Sequence, residues 1–451
     1  MTTHTRSWLP LAATLGIALV LVLGGLVAAP LIQRAAPRLD AEVRSAFARQ
    51  DASPADWVSP ELDGAIYARP LVLGTQLLIA TEANSVYVLD TDSGSIGWQQ
   101  HLGDPVPGSA LPCGNIDPVG ITSTPAIDPQ AGVVYVVGLV QPTHHELYVL
   151  RLSDGTVQYH FPIDPPGADA RVHNQRGALT LSQGVVYVPF GGRFGDCGDY
   201  HGRVVGVQVG DTTGGSLIAY QTPSDEAGIW APGGAAADEA GNLFVATGNG
   251  GSTTTFGYSE SVLKLSPDLQ VQDYFTPRNW AELNRGDVDI GSLTPALLDN
   301  DLVFQAGKEG IGYLLHASNL GQIGGEVFSA RVCSRGAYGM TAYAAPYLYV
   351  PCTDGLVAVQ LDFGPPAFSV AWHGPAVAGR PAAGPPLLAA GAVWGIDLGG
   401  GVLYGLDPAS GAVRFKGGLP GPARNFSTPA ADARHVYAPA GRQIAAFVIA
   451  D

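Results

Sequence analysis

The stretch from Leu77 to Trp98, LLIATEANSVYVLDTDSGSIGW, constrains this chain more than any other. It holds a strand, a turn, a second strand, the segment Asp90-Thr-Asp-Ser-Gly94, and a third strand ending on Trp98. Weaker copies follow it. Each opens on a short strand, often after a Thr-Pro pair, continues into an apolar strand such as VVYV, and passes a Gly turn to a polar-aromatic strand. The copies start near Pro70, Pro125, Arg176, Pro232, Pro295, Tyr338, Pro385 and Pro429. Their spacing of roughly 45 to 60 residues is that of propeller blades. One such unit exposes an apolar face that only a neighbour can cover, so the units must stack radially. The reading is an all-β, eight-bladed β-propeller over residues 55–451.

The last copy stops after its third strand at Ile444–Ala450, and an open ring would leave a bare strand edge. The unassigned segment Trp57–Leu62 resembles an outer strand such as Gly97–Leu102. It is therefore expected to complete the last blade, so that both ends of the propeller meet in one sheet.

Residues 8–32 are uncharged and almost wholly apolar, long enough to cross a hydrocarbon core. They read as a single N-terminal transmembrane helix behind a short cytoplasmic tail at residues 1–7. Length favours an anchor over a cleaved signal, although small residues at Ala28, Ala29, Ala35 and Ala36 leave cleavage open. Arg6 before the segment and Arg34, Arg38 and Arg44 after it leave the charge rule undecided. In residues 33–54, Leu39, Val43 and Phe47 recur at helical spacing and suggest a short stalk. The expected setting is a single-pass cell-membrane protein with its propeller outside the cytoplasm, or a secreted one if the segment is removed.

The net charge of −16 excludes a nucleic-acid partner, which would need a basic stripe. Four cysteines allow three pairings. In a four-stranded blade, the loop entering the inner strand and the loop between second and third strands emerge on one face. Cys113, Cys197, Cys333 and Cys352 all fall on it, and Cys113–Cys197 and Cys333–Cys352 are the natural pairs. The same face collects cations. Arg69 and Arg176 hold the Thr position of the Thr-Pro copies; Arg335, Arg380 and Arg424 lie in loops entering inner strands; Lys308 and Arg442 lie in second-to-third loops. A basic mouth of this kind suits an anionic ligand. The alternative is that these groups pair with Asp117, Asp199, Asp287, Asp289 and Asp397 to hold loops in place. His144 and His145 are expected at a solvated hairpin tip, and Asn425-Phe-Ser427 is a short sequon match.

The run Leu89-Asp90-Thr-Asp-Ser93-Gly94-Ser-Ile-Gly-Trp98 resembles the tryptophan-docking repeat of quinoprotein propellers, the PQQ-repeat family. In that family a turn Gly and a Trp lock each blade to the next. Later copies keep an aromatic: Gly155 leads to Tyr159 and Gly411 to Phe415. The family includes alcohol dehydrogenases that use pyrroloquinoline quinone (PQQ) with calcium, and non-enzymatic propellers such as the outer-membrane assembly lipoprotein, whose lipidation Cys is absent here. The resemblance implies that Trp230 floors a quinone, that Asn249 in Thr247-Gly248-Asn249 binds calcium with Asp287 and Asp289 following, and that Arg176 meets a quinone oxygen. Arg69, Lys308 and Arg335 join the cofactor-binding candidates. Three departures stand against catalysis. No two cysteines adjoin. No carboxylate lies in Thr253–Tyr258, where the catalytic Asp should fall. Arg193 stands near the place of a calcium-binding Glu, with Asp196 and Asp199 as shifted substitutes. The catalytic residues are thus unassigned. The leading expectation is a binding or scaffold propeller for an anionic ligand or envelope protein partner, and the alternative is a PQQ- and calcium-dependent oxidoreductase.

Overall fold

The computed structural model describes residues 52–165, 167–377 and 383–449. The transmembrane expectation for residues 8–32 and most of the stalk lie outside that part. Among the described residues, no helix is long and apolar enough to cross a membrane.

The described strands form eight sheets, each with inner, second, third and outer strands paired antiparallel, in chain order in seven of them and with the outer strand drawn from the other end of the propeller in the eighth. Blade 1 comprises Leu71–Leu73, Gln76–Ala80, Ser85–Asp90 and Ile96–His101. Every blade has the apolar second strand that the repeat implies, as in Val133–Val140 and Val185–Gly192. Two sheets carry a fifth strand. His173–Asn174 pairs with Gly191–Gly192 in blade 3, and Gln322–Ile323 adds in parallel to the outer strand of blade 4.

The second and third strands are apolar on both faces because each face meets a different neighbour. In blade 1, Leu77 and Ile79 pack with Tyr437, Ile444 and Ala446 of blade 8. The alternate residues Leu78 and Ala80 pack with Val134, Val136 and Leu150 of blade 2. Side chains alternate along a strand, so continuous apolar runs follow when both faces are covered.

The ring closes as the sequence suggests. Trp57↔Ala446 and Val58↔Ala445 pair antiparallel, and Ser59 N and Leu62 N donate to Ile444 O and Arg442 O, each at 2.9 Å. The docking repeat works between blades. The indole of Trp98 lies over Gly155 of blade 2 and its Nε1 donates to Leu152 O at 3.1 Å. Trp372 lies over Gly411 and donates to Pro408 O.

Cys113–Cys197 and Cys333–Cys352 are both disulfides, with Cα atoms 6.1 and 5.5 Å apart. The first ties a loop of blade 2 to one of blade 3. The histidine pair is a correction. The hairpin tip falls earlier, and His144 and His145 begin the third strand of blade 2. His145 is buried against Asp164 (2.7 Å), and His144 bonds Glu146 (2.6 Å). Alternation sends the two rings to opposite faces, and each finds a carboxylate.

Candidate functional site

The loops on the disulfide-bearing face enclose a cavity of about 780 Å³. Trp230, Asn249, Arg176, Lys308 and Arg335 all line it. They come from blades 3 to 6, yet each sits in a loop entering an inner strand or a second-to-third loop, and those loops share one rim.

Asp289 is the hub. It immediately precedes the short 3-10 turn Ile290–Ser292 before blade 5, its side chain turned to the cavity, and is 2 % exposed. Its Oδ2 accepts from Trp230 Nε1 at 3.1 Å and lies 3.1 Å from Lys308 Nζ. Its Oδ1 accepts from Asn249 N at 3.1 Å. Gly248 packs closely here: a Cβ would stand 3.1 Å from Trp230 Nε1 and 3.2 Å from Asp289 Oδ2, so a side chain would press on both. Lys308 also reaches Asp287 and lies 5.8 Å above the Trp230 ring. Burial works against the lysine's charge, but Asp289 and Asp287 outweigh it and hold the ammonium above the ordinary lysine range. Burial also pushes Asp289 up, against the pull of Lys308.

Two further carboxyls stand behind this pair. Asn249 Nδ2 donates to Glu226 Oε2 at 3.0 Å, and burial with nearby Asp196 and Asp225 raises Glu226. Glu260 is fully buried; its Oε2 accepts from Ile290 N at 2.7 Å while Oε1 has no partner. Burial, then Asp289, raise it well above the usual carboxylate range.

The opposite wall is aromatic. Tyr338 and Phe426 each approach Trp230 to 6.4 Å between ring centroids. Phe426 arrives from blade 8, across the ring. Arg176 lies 4.8 Å from the Phe426 ring centroid and 5.2 Å from that of Tyr67, and donates to Asn425 O at 3.0 Å. Burial lowers Arg176 to about 10. Arg176 and Arg335 have no acidic partner among the described residues.

The structure therefore divides the expected basic mouth. Lys308 pairs with Asp287 and Asp289, as the loop-holding alternative requires. Arg442 bonds Leu62 O and Glu61 at the ring closure, and Arg424 stands over Tyr67. Arg69 does not line this cavity; it belongs to a second one along the channel. Arg380 lies outside the described residues. Asp117 accepts from Gly108 N. In Asp199-Tyr200-His201 it is Tyr200 that enters the cavity, bonded to Asp196 at 2.7 Å, whereas His201 faces Thr222 O and Ser224 O.

Thr253–Tyr258 contributes no carboxylate, as expected; the carboxylate in the cavity beside Asn249 is that of Asp289, forty residues further on and hydrogen-bonded to the Asn249 backbone. The calcium expectation at Asn249, Asp287 and Asp289 does not fit. Asp289 is already neutralised by Lys308 while it accepts from Trp230 and Asn249, the Asn249 amide donates to Glu226, and Asp287 is exposed and engaged by Lys308. Among the described residues no group of three or more His, Cys, Asp or Glu gathers to hold a metal. Calcium takes six to eight oxygens, and here the positive charge at Asp289 is the ammonium of Lys308. The residues that sequence reasoning missed are Glu226, Glu260, Tyr338 and Phe426.

A family model described as outer membrane protein assembly factor BamB, of the PQQ-repeat type, matches residues 39–319, more than half of the chain. No curated protein matches it. Among solved structures, BamB from Moraxella catarrhalis is 15% identical, with 88% of this chain and 99% of that one covered and a TM-score of 0.58. Quinohemoprotein alcohol dehydrogenase from Comamonas testosteroni is 16% identical over 89% and 77% of the two chains, with a TM-score of 0.64. A europium-containing methanol dehydrogenase is 17% identical over 86% and 85%, with a TM-score of 0.64. At these identities the structural likeness carries the fold alone. The match to the family model carries membership: this chain belongs to the PQQ-repeat β-propeller family.

Proposed function

We propose that the chain is a binding or scaffold propeller, held outside the cytoplasm by residues 8–32, whose mouth receives an anionic group between aromatic faces. The group belongs to a planar small molecule or to a side chain of an envelope protein partner. The observation that carries this reading is the pair Arg176 and Arg335, without acidic partners among the described residues, on one cavity with Trp230, Tyr338 and Phe426. Guanidinium groups clamp carboxylates, and aromatic walls take a flat ligand at little entropic cost. Phe194, 70 % exposed on the rim beside the Cys113–Cys197 disulfide, supports contact with a protein partner. PQQ is the natural probe, being flat with three carboxylates. The full chain is mixed with PQQ, and quenching of Trp fluorescence and quinone retained on gel filtration are measured. Binding that falls at least tenfold in Arg176→Gln with Arg335→Gln supports the reading. Equal binding by wild type and variant, or none by wild type, rejects a small-molecule ligand there.

A second reading is a PQQ-dependent oxidoreductase, and Asp289 favours it. Trp230 would floor the quinone, with Arg176, Arg335 and Lys308 around its carboxylates and oxygens. The quinone would supply two-electron acceptance. Asp289, raised by burial, would take a substrate hydroxyl proton while Lys308 balances its charge. Dye reduction with alcohols that vanishes in Asp289→Asn would favour this reading over simple binding.

A further inference from the structure

Two turns carry the acidic wall of the mouth. Residues 247–250 of blade 4 present Asn249, and residues 287–292 before blade 5 present Asp289. The turns lie backbone to backbone: a Cβ on Gly291 would stand 2.5 Å from the Thr247 carbonyl carbon. One buried residue bonds both. The Glu260 backbone N–H donates to Gly248 O at 2.9 Å, and Glu260 Oε2 accepts from Ile290 N at 2.7 Å. Thr276 Oγ1 fixes the Glu260 carbonyl at 2.8 Å. Its φ of +50 is left-handed, a conformation that a long side chain keeps only where its surroundings impose it.

Nothing in this tie needs a carboxyl, because a glutamine would accept from Ile290 N equally well. A carboxyl adds a proton that can leave. Glu260 is fully buried and its Oε1 has no hydrogen-bond partner, so the ionised form is poorly met where it stands. Burial, then Asp289, hold the proton on; Ile290 N and Lys308 oppose them, and Asp287 adds to them. Lys308 is already shared between Asp289 and Asp287. On the blade 5 side stands Tyr313, kept a phenol by burial and by Glu309, to which it donates. Glu226 lies beyond Asn249.

We infer that Glu260 is a positioning residue whose proton sets how strongly the mouth holds an anion. This rests on the reading of the mouth as an anion site. Protonated, Glu260 ties the two turns and leaves Lys308 to meet Asp289. Ionised, it places a second buried carboxylate behind Asp289, the wall turns more negative, and a ligand carboxylate is repelled. Affinity is therefore full while Glu260 is protonated, and falls as pH rises through its folded pKa, which lies well above the ordinary carboxylate range. By reciprocity, an anion that binds draws a proton onto Glu260.

The test titrates the full chain and Glu260→Gln with PQQ from pH 6 to pH 9, following Trp fluorescence. Wild-type affinity should fall about tenfold across that range, the effect of one added charge nearby in a partly buried site. Glu260→Gln keeps the acceptor and cannot ionise, so it should match wild type at pH 6 and lose no more than about twofold by pH 9. Amide hydrogen exchange of the ligand-free proteins at pH 7 reads the tie itself. Residues 247–250 and 287–292 should exchange faster in Glu260→Leu and as in wild type in Glu260→Gln, with blade 1 unaffected in both. Parallel pH profiles in wild type and Glu260→Gln, or a flat wild-type profile, overturn the inference. So does wild-type exchange in Glu260→Leu. Absence of PQQ binding by wild type at every pH rejects instead the reading of the mouth, and the exchange result then decides whether Glu260 holds the turns.

Discussion

The indole of Trp57 lies flat over Gly94. A Cβ built on Gly94 would stand 2.4 Å from Trp57 Cε3, and Trp57 Nε1 donates to Thr91 O at 3.2 Å. Trp57 belongs to the first strand of the propeller in sequence, but in space it is the outer strand of the last blade. Gly94 is the docking turn of blade 1. The contact is the one that Trp98 makes with Gly155 and Trp372 with Gly411. The seam where the two ends of the propeller meet is thus built like the joints between blades within it.

Trp57→Ala should therefore cost about 3 kcal/mol, the loss of a large aromatic from a fitted contact. Because it acts at the seam, the first region to open should be residues 52–62. Chemical denaturation and limited proteolysis check this. A variant that keeps wild-type stability would show that the strand pairing alone closes the ring. Gly94→Ala should also destabilise, since its φ of +68 and the indole both resist a side chain.

Much of this was legible in the chain because it depends on short-range pattern. The repeat, the Trp57 closure and both disulfides follow from strand order and from which loops share a rim. The site was legible where a residue sits in the repeat itself, as Trp230, Asn249 and Arg176 do, and where its loop opens on the shared rim, as those of Lys308 and Arg335 do. Asp289 was seen as an acid but not as the partner of Trp230, because the helix Trp280–Gly286 and its flanking loops separate it from Asn249. Phe426 was missed because it crosses the ring from blade 8. Arg69 occupies the same repeat position as Arg176 but faces a different cavity; register fixes the backbone, not where a long side chain ends.

The buried His173 should give an acid limb to stability. Burial lowers it to about 4, helped by Arg203 and His145 and opposed by Asp169 O and Asp164. The unfolded ring titrates near 6.5, so between these values the unfolded state binds more protons. Stability should fall by up to about 3 kcal/mol as pH drops from 6.5 towards 4. His173→Gln should flatten that limb in urea unfolding measured across the range. An unchanged limb would assign it to other groups.

Glu260 should act on the opposite side. Its folded pKa is raised, so below the unfolded value near 4.5 both states are protonated and nothing is lost. As pH rises above that value the unfolded state ionises first, and stability declines until the folded pKa is passed. Glu260→Gln keeps an acceptor for Ile290 N and removes the ionisation. It should raise stability at pH 7 by about 1–3 kcal/mol and change it little at pH 4. Destabilisation at pH 7 would mean that the ionised carboxylate is held by groups other than Ile290 N.

Asp289 and Lys308 should behave as a unit. Asp289→Asn leaves the ammonium with the exposed Asp287 alone, and Lys308→Met leaves a buried carboxylate with only Trp230 Nε1 and Asn249 N. Each single change should cost about 3 kcal/mol, because one partner of a buried ion pair is left uncompensated. The double variant should recover at least half of the summed loss, which a double-mutant cycle in urea reads directly. Additive losses would show that the two groups do not depend on each other, and that Asp289 is held by Trp230 and Asn249 regardless of the lysine. In that case Lys308 would be free to turn towards a ligand in the mouth, and PQQ binding should weaken in Lys308→Met but not in Asp289→Asn.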